Sequence, residues 1–355
     1  MFVAISILAL GVVILVHEAG HFLVALACRM RVEVFSIGFG PAILAWHGKR
    51  TEYRLAALPL GGYVRIAGMT PGDGTPEDDP ASFANRPAWQ RFLVILAGPF
   101  INWMFAFLLL TVLYTVGFRV PTDRPIIEAV RGAPAVAAGL MPGDRILAID
   151  DRPIASFSDV VRAVAARRGQ PMQVRVERGG VEQALTATTG PDGLLGIAGQ
   201  TKIERYPLGA SLGFALSKCG EILANTLDGL RQLLRGTGHA DLMGPVGIVG
   251  QTVDAVSREF AALFYILVQI SLVLAVMNLL PIPALDGGRL VFILIAMVRR
   301  RPVDPKLEAM IHGVGIVLLL GLLAYATYGD VSRRLHRSAA GGAGAAASAP
   351  ADAGR

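Results

Sequence analysis

The chain has 355 residues, 53% of them hydrophobic and 17% charged, with a formal net charge of +6. Charge is too sparse and apolar residues too plentiful for an ordinary soluble domain. The basic residues sit in short clusters beside apolar runs and are not interleaved with aromatics, which argues against nucleic acid as a partner and fits the inner loops of a membrane protein.

The first apolar stretch runs from about Phe2 to Leu26, long enough to span a bilayer of roughly 30 Å at about 20 residues per span. It has no basic start and carries His17, Glu18 and His21, so it does not read as a cleaved signal peptide. The polar stretch that follows, from Arg29 to Arg91, is dense in Arg and Lys and is expected on the cytoplasmic side. Within it, residues 32–67 alternate and predict short strands with glycine turns, and residues 70–87 read as a solvated loop with a small acidic cluster. A second span covers Phe92–Phe118.

Residues 119–205 are less apolar and predict a soluble domain on the opposite side. It should hold a short helix, a turn at Pro142-Gly143-Asp144, a strand, a helix in SDVVRAVAARRG and a hairpin turning at Gly179-Gly180. Residues 207–236 show leucines at helical spacing; a helix lying in the membrane interface and one packed on the soluble domain both fit. The third span is Ala261–Leu280, followed by a basic turn with Arg299 to Arg301 and Lys306. A fourth, shorter span runs from about Gly313 to Tyr328 and draws on residues from Met310. Arg333, Arg334 and Arg337 pull against the orientation set by the earlier loops. The tail from Ser338, rich in Ala and Gly, has nothing to bury and is expected to be disordered. Cys28 and Cys219 lie beside different apolar segments, exclude a disulfide framework and read as inert buried thiols.

The segments expected are therefore 1–118 (two spans and a β-rich loop), 119–205 (soluble domain), 206–260 (amphipathic helix and connector), 261–337 (two spans) and 338–355 (tail). The fold class is an α-helical polytopic membrane protein of about four transmembrane helices, with a membrane-associated β region and one inserted α+β domain.

The chemistry begins in the first span. His17-Glu18-Ala19-Gly20-His21 matches H-E-x-x-H, which on a helix sets two imidazoles one turn apart on one face with a glutamate between them. Two such imidazoles can bind one Zn²⁺, and the glutamate is placed to take a proton from water. Three ionisable side chains in five residues of a span are too costly to serve as packing alone. Zinc needs a third protein ligand. His47, His239, His312 and His336 read as surface or interface residues. Asp286 is the better candidate, because Pro281 and Pro283 break the helix just before it, and irregular backbone at membrane depth belongs beside a cavity or buried in protein. Asp is also a good N-cap, here for residues 289–298. The unfilled zinc shell favours the ligand reading.

Three motifs together resemble the site-2 protease family of intramembrane zinc metalloproteases, in its bacterial branch that carries a PDZ domain: His17-Glu18-Ala-Gly-His21, the segment Asn278 to Gly288, and the segment Gly139-Leu140-Met141-Pro142-Gly143-Asp144. The order of spans is similar too. The resemblance implies one zinc per chain on His17, His21 and Asp286, with Glu18 as catalytic base. It implies that Asn278 touches the substrate backbone, with Tyr63, Pro281 and Pro283 also lining the substrate path and Gly98, Pro99, Asn102 and Gly287 in support. It further implies single-span membrane substrates, such as an anti-sigma factor or remnant signal peptides, trimmed beforehand by another protease. The PDZ-like domain would lie outside an inner, multi-pass plasma membrane, with the zinc site toward the cytoplasm. One PDZ-like segment is present where some relatives carry two.

Within that reading, unwound substrate backbone needs partners, and residues 51–66 are the expected strand edge. Two other classes compete. A catalytically dead scaffold has no use for Glu18. A metal transporter with a midplane site would show matching broken helices in two halves, whereas only the third span is broken.

Overall fold

The computed structural model describes residues 2–70, 72–190, 193–236, 247, 249–250, 252–253, 262–301 and 303–347. The chain begins with α1 (Phe2–Ala27), β1 (Val32–His47), β2 (Glu52–Ile66) and α2 (Ala88–Val116). There follow β3 (Phe118–Pro121), β4 (Ile127–Val130), α3 (Ala133–Ala137), β5 (Arg145–Ile149), β6 (Arg152–Pro153), α4 (Phe157–Ala165), β7 (Pro171–Arg178), β8 (Val181–Thr188), β9 (Ile197–Gly199) and β10 (Thr201–Glu204). The chain returns to helix in α5 (Leu208–Leu234), α6 (Ala262–Leu279), α7 (Asp286–Arg299) and α8 (Pro305–Ala347). Two units result: Met1–Leu113 with Leu208–Arg355, and Tyr114–Pro207.

In the first unit, Ala4–Ala27, Ala88–Val116, Ala262–Leu279 and Lys306–Asp330 are helices long and apolar enough to cross a membrane. Their apolar residues lie all around the axis, as in helices that meet neither water nor a single core face. The fourth starts earlier than Gly313 because Pro305 suits the first helical position and Glu308 suits the positive helix end. It also continues to Ala347, into the segment expected to be disordered from Ser338; alanine is the strongest helix former. Residues 348–355, and most of the connector expected up to residue 260, lie outside the described residues.

β1 and β2 are long, but each bends back on itself. Residues 34–37 pair with 62–65 on one side and with 52–55 on the other, and residues 42–47 pair with 52–56. The bends fall near Gly38, Gly40 and Gly61, all at positive φ, where glycine carries no Cβ penalty. The effective strand order is 42–47, 52–56, 32–37, 62–66. The short strands with glycine turns are present, but the expected edge at 51–66 needs correction: residues 52–55 are interior, and 62–66 alone form that edge.

The Tyr114–Pro207 unit is built on the sheet β6-β5-β7-β8, with β7 and β8 joined through Gly179-Gly180. Ile127, Leu140, Ile146, Val160, Met172, Val174 and Val176 form its core. Ser156 and Asp159 form a reciprocal capping box at the start of α4. Asp144 is fully buried; burial opposes its ionisation, but Arg178 grips both carboxylate oxygens at 2.7 and 2.8 Å and Met141 N–H donates to it at 2.8 Å. These contacts outweigh burial and hold its carboxyl below the usual carboxylate range.

Candidate metal centre

His17 and His21 stand one turn apart on α1, both buried, with ring centroids 4.8 Å apart and edge-on. The third group arrives from a break in the helix. After Leu279 the chain turns through Pro281 and Pro283, Ala284 adopts a positive φ of 78°, and its N–H donates to His312 Nδ1 at 3.0 Å. Proline cannot extend the hydrogen-bond ladder of α6, so a new helix, α7, starts at Asp286. The alternative cap role for Asp286 is not realised: Leu285 is the N-cap residue, and no side chain caps the helix.

Asp286 Oδ2 lies 3.0 Å from His17 Nε2 and 3.4 Å from His21 Nε2, and the two Nε2 atoms are 3.2 Å apart. A tetrahedron with ligand bonds of about 2.0–2.1 Å has edges of about 3.3 Å. All three edges match, and two imidazole nitrogens with one carboxylate oxygen form a donor set that zinc uses in catalytic sites. The residues therefore fit one zinc ion with one position left open.

The surroundings select the tautomer that such a site needs. His21 Nδ1–H donates to the carbonyl of Val94 at 2.7 Å, leaving Nε2 as a bare lone pair. His17 Nδ1 lies 3.4 Å from the side-chain amide of Asn102, which is fully buried and whose Oδ1 has no partner among the described residues. With the amide rotated, Oδ1 accepts from Nδ1–H and His17 Nε2 is bare as well. Ser271 on α6 donates to the Asn102 carbonyl at 2.8 Å and ties α6 to α2.

Two glycines let α1 and α2 approach this closely. A Cβ on Gly20 would sit 2.5 Å from the Ala97 carbonyl oxygen, and one on Gly98 would collide with the rings of His21 and His17. Gly98 and Asn102 thus face the histidines, and Pro99 lies within α2 between them. Asn278 brings its amide within 3.4 Å of His17 Nε2. Glu18 lies against β2, where a Cβ on Gly62 would be 3.8 Å from its Cγ. Gly287 packs on the carbonyls of Leu279 and Leu280 with no room for a side chain, and Pro283 packs on Gly315 of α8. Tyr63 stands apart: its ring stacks on Phe39 and its hydroxyl accepts from Arg54, and no described contact joins it to His17, His21 or Asp286.

Sequence reasoning missed Val94, Ser271 and Gly315. Val94 acts through a carbonyl that any residue would present, so no sequence signal marks it. Ser271 and Gly315, a polar and a small residue within apolar runs, carried a weak signal of helix contact.

Comparison with known proteins agrees with this geometry. The model of Peptidase family M50 matches residues 5–322. A protein of Agrobacterium fabrum named as a zinc metalloprotease is 32% identical, over 92% of this chain and 94% of its own. Metalloprotease MmpA of Caulobacter vibrioides is 33% identical over 91% and 94% of the two chains. A Nostoc protein also named as a zinc metalloprotease is 35% identical over 91% and 93%.

Proposed function

The chain belongs to peptidase family M50 and is a zinc metalloprotease, and on that premise we propose that it hydrolyses peptide bonds in the membrane-spanning segments of single-span proteins, with His17, His21 and Asp286 as zinc ligands and Glu18 as the base. The observation that carries this reading is the convergence of two imidazole nitrogens and one carboxylate oxygen, 3.0–3.4 Å apart, between helices apolar enough to cross a membrane.

When bound, zinc supplies Lewis-acid polarisation of a carbonyl and acidifies a water. The chain's residues do the rest. Glu18 follows His17 directly and lies three residues before His21; it takes the proton of the attacking water, then returns it to the leaving amine. The Glu18 side chain lies against β2 at Gly62, where a Cβ would be 3.8 Å from its Cγ. Asn278 points its amide toward the same point and is positioned to donate to the oxygen on which charge develops. A substrate helix must unwind to expose its backbone, and the free edge at 62–66 offers it strand partners beside Glu18.

The same reading makes the protein a multi-pass plasma-membrane enzyme with the zinc site toward the cytoplasm. The Tyr114–Pro207 unit is its PDZ-like domain outside, and an anti-sigma factor or remnant signal peptide, trimmed beforehand, is its substrate class.

The test is cleavage of a purified single-span substrate by wild type and Glu18→Gln at matched zinc content. Glu18→Gln should retain zinc and lose activity by about 10²–10⁴-fold, the scale of general acid–base catalysis. Equal cleavage by both would refute the assignment of Glu18.

A further inference from the structure

A second polar cavity lies outside the metal centre. It measures about 710 Å³ and is lined by residues 68–70, 72–73, 75–77 and 82–85 of the loop after β2, by Arg91 in the first turn of α2, by α7 and by the first turns of α8. Arg91, Arg289, Glu308 and His312 supply its charged and titratable groups from the helices, and Phe292 and Ile316 supply apolar wall.

The two arginines are part-buried, yet among the described residues no side-chain hydrogen bond or ion pair reaches either guanidinium. Arg91 Nε is buried without an acceptor. His312 is in the same position: its Nδ1 accepts from Ala284 N–H, so its Nε2 carries the proton, and Nε2 is buried without an acceptor. Buried donors, above all charged ones, are costly to leave unpaired, and these converge on one cavity. The acidic groups that face it do not answer them. Asp73 is occupied by Gly68 N–H and Thr75 N–H, Glu77 is exposed, and Glu308 on both arginines and Asp286 on Arg289 act at a distance without an ion pair.

We propose that Arg91, Arg289 and the Nε2–H of His312 bind a phosphate group. Arginine offers a planar fork matched to phosphate oxygens, and the histidine adds a neutral donor. The cavity lies where two of the long apolar helices, α2 and α8, begin, which is where a bilayer carries its phosphates. The apolar wall at Phe292 and Ile316 suits the first methylenes of a lipid chain. An anionic phospholipid headgroup is thus the source this placement favours, with free phosphate as the alternative. The lipid source rests on the membrane reading above; the phosphate site does not.

Native mass spectrometry of the full, detergent-purified chain tests this, with phosphatidylglycerol, phosphatidylcholine and inorganic phosphate titrated separately and zinc content recorded in parallel. Phosphatidylglycerol should bind more tightly than phosphatidylcholine, and Arg91→Gln or Arg289→Gln should weaken it by about tenfold or more. Glu308→Gln, which removes only a repelling charge, should tighten it, so the site can be tested even if an arginine variant fails to fold. Binding of inorganic phosphate with the same variant pattern, and no preference for phosphatidylglycerol, would keep the site and assign it to the free ion. Equal binding of every probe by wild type and all three variants would overturn the proposal, whatever the zinc content. Loss of zinc with retained phosphate binding would overturn only the metal centre.

Discussion

Two carboxylates inside this protein, Asp144 fully buried and Asp286 part-buried, are met by opposite kinds of partner. Asp144 is closed off by Arg178 and Met141 N–H, so its charge and its lone pairs are answered by the protein itself. Asp286 faces two imidazoles, and the outer nitrogen of His21 is already committed to Val94 O, which leaves lone pairs pointing at lone pairs. The first arrangement is complete. The second gathers two imidazole nitrogens and a carboxylate oxygen around one point that a cation can fill. A buried acid is thus structural or functional according to whether its partners bring donors or acceptors.

The comparison can be broken from either side. The largest effect is expected at Gly98→Val: the added side chain would drive into the imidazoles, and both zinc binding and proteolysis should be lost while the Tyr114–Pro207 unit keeps its stability. Zinc analysis with hydrogen exchange on that unit would check it. On the other side, Asp144→Asn should lower the stability of the Tyr114–Pro207 unit by about 2–3 kcal/mol, with zinc content unchanged, measured by denaturant unfolding.

The pH dependence follows the same logic. The folded carboxyl of Asp144 is depressed, so its contribution is full above the unfolded value of about 3.9 and is lost as pH falls through the folded one. The wild-type unit should lose stability on that acid limb, and Asp144→Asn should flatten it. The smallest effect belongs to Ser156→Ala, which removes a helix cap worth about 1 kcal/mol without touching either carboxylate.

Much of the metal centre is legible in the residues. His17 and His21 follow from helical spacing, and the prolines at 281 and 283 announce the break that delivers Asp286. For Asp286 the sequence offers both a cap and a ligand role and the unfilled zinc shell favours the ligand; the fold removes the competing cap role by putting Leu285 at the cap position. The reason α1 and α2 touch is less legible: Gly20 and Gly98 matter only once the two helices cross there. The sheet was half legible. Glycines announced the bends, but which segment lies at the edge depends on how the bent strands fold back, and local pattern does not carry that. In the alanine-rich segment the pattern carries two opposed signals, little to bury and high helix propensity, and the helix continues there to Ala347.

The central claim is that His17, His21 and Asp286 hold one zinc ion. X-ray absorption at the zinc edge, on purified wild type and on Asp286→Ala, tests it most directly. The account predicts about one zinc per chain, bound by two imidazole nitrogens and further oxygen with no sulfur, and its loss or marked weakening in Asp286→Ala. Sulfur in the coordination shell, or an unchanged spectrum and zinc content in Asp286→Ala, would contradict it.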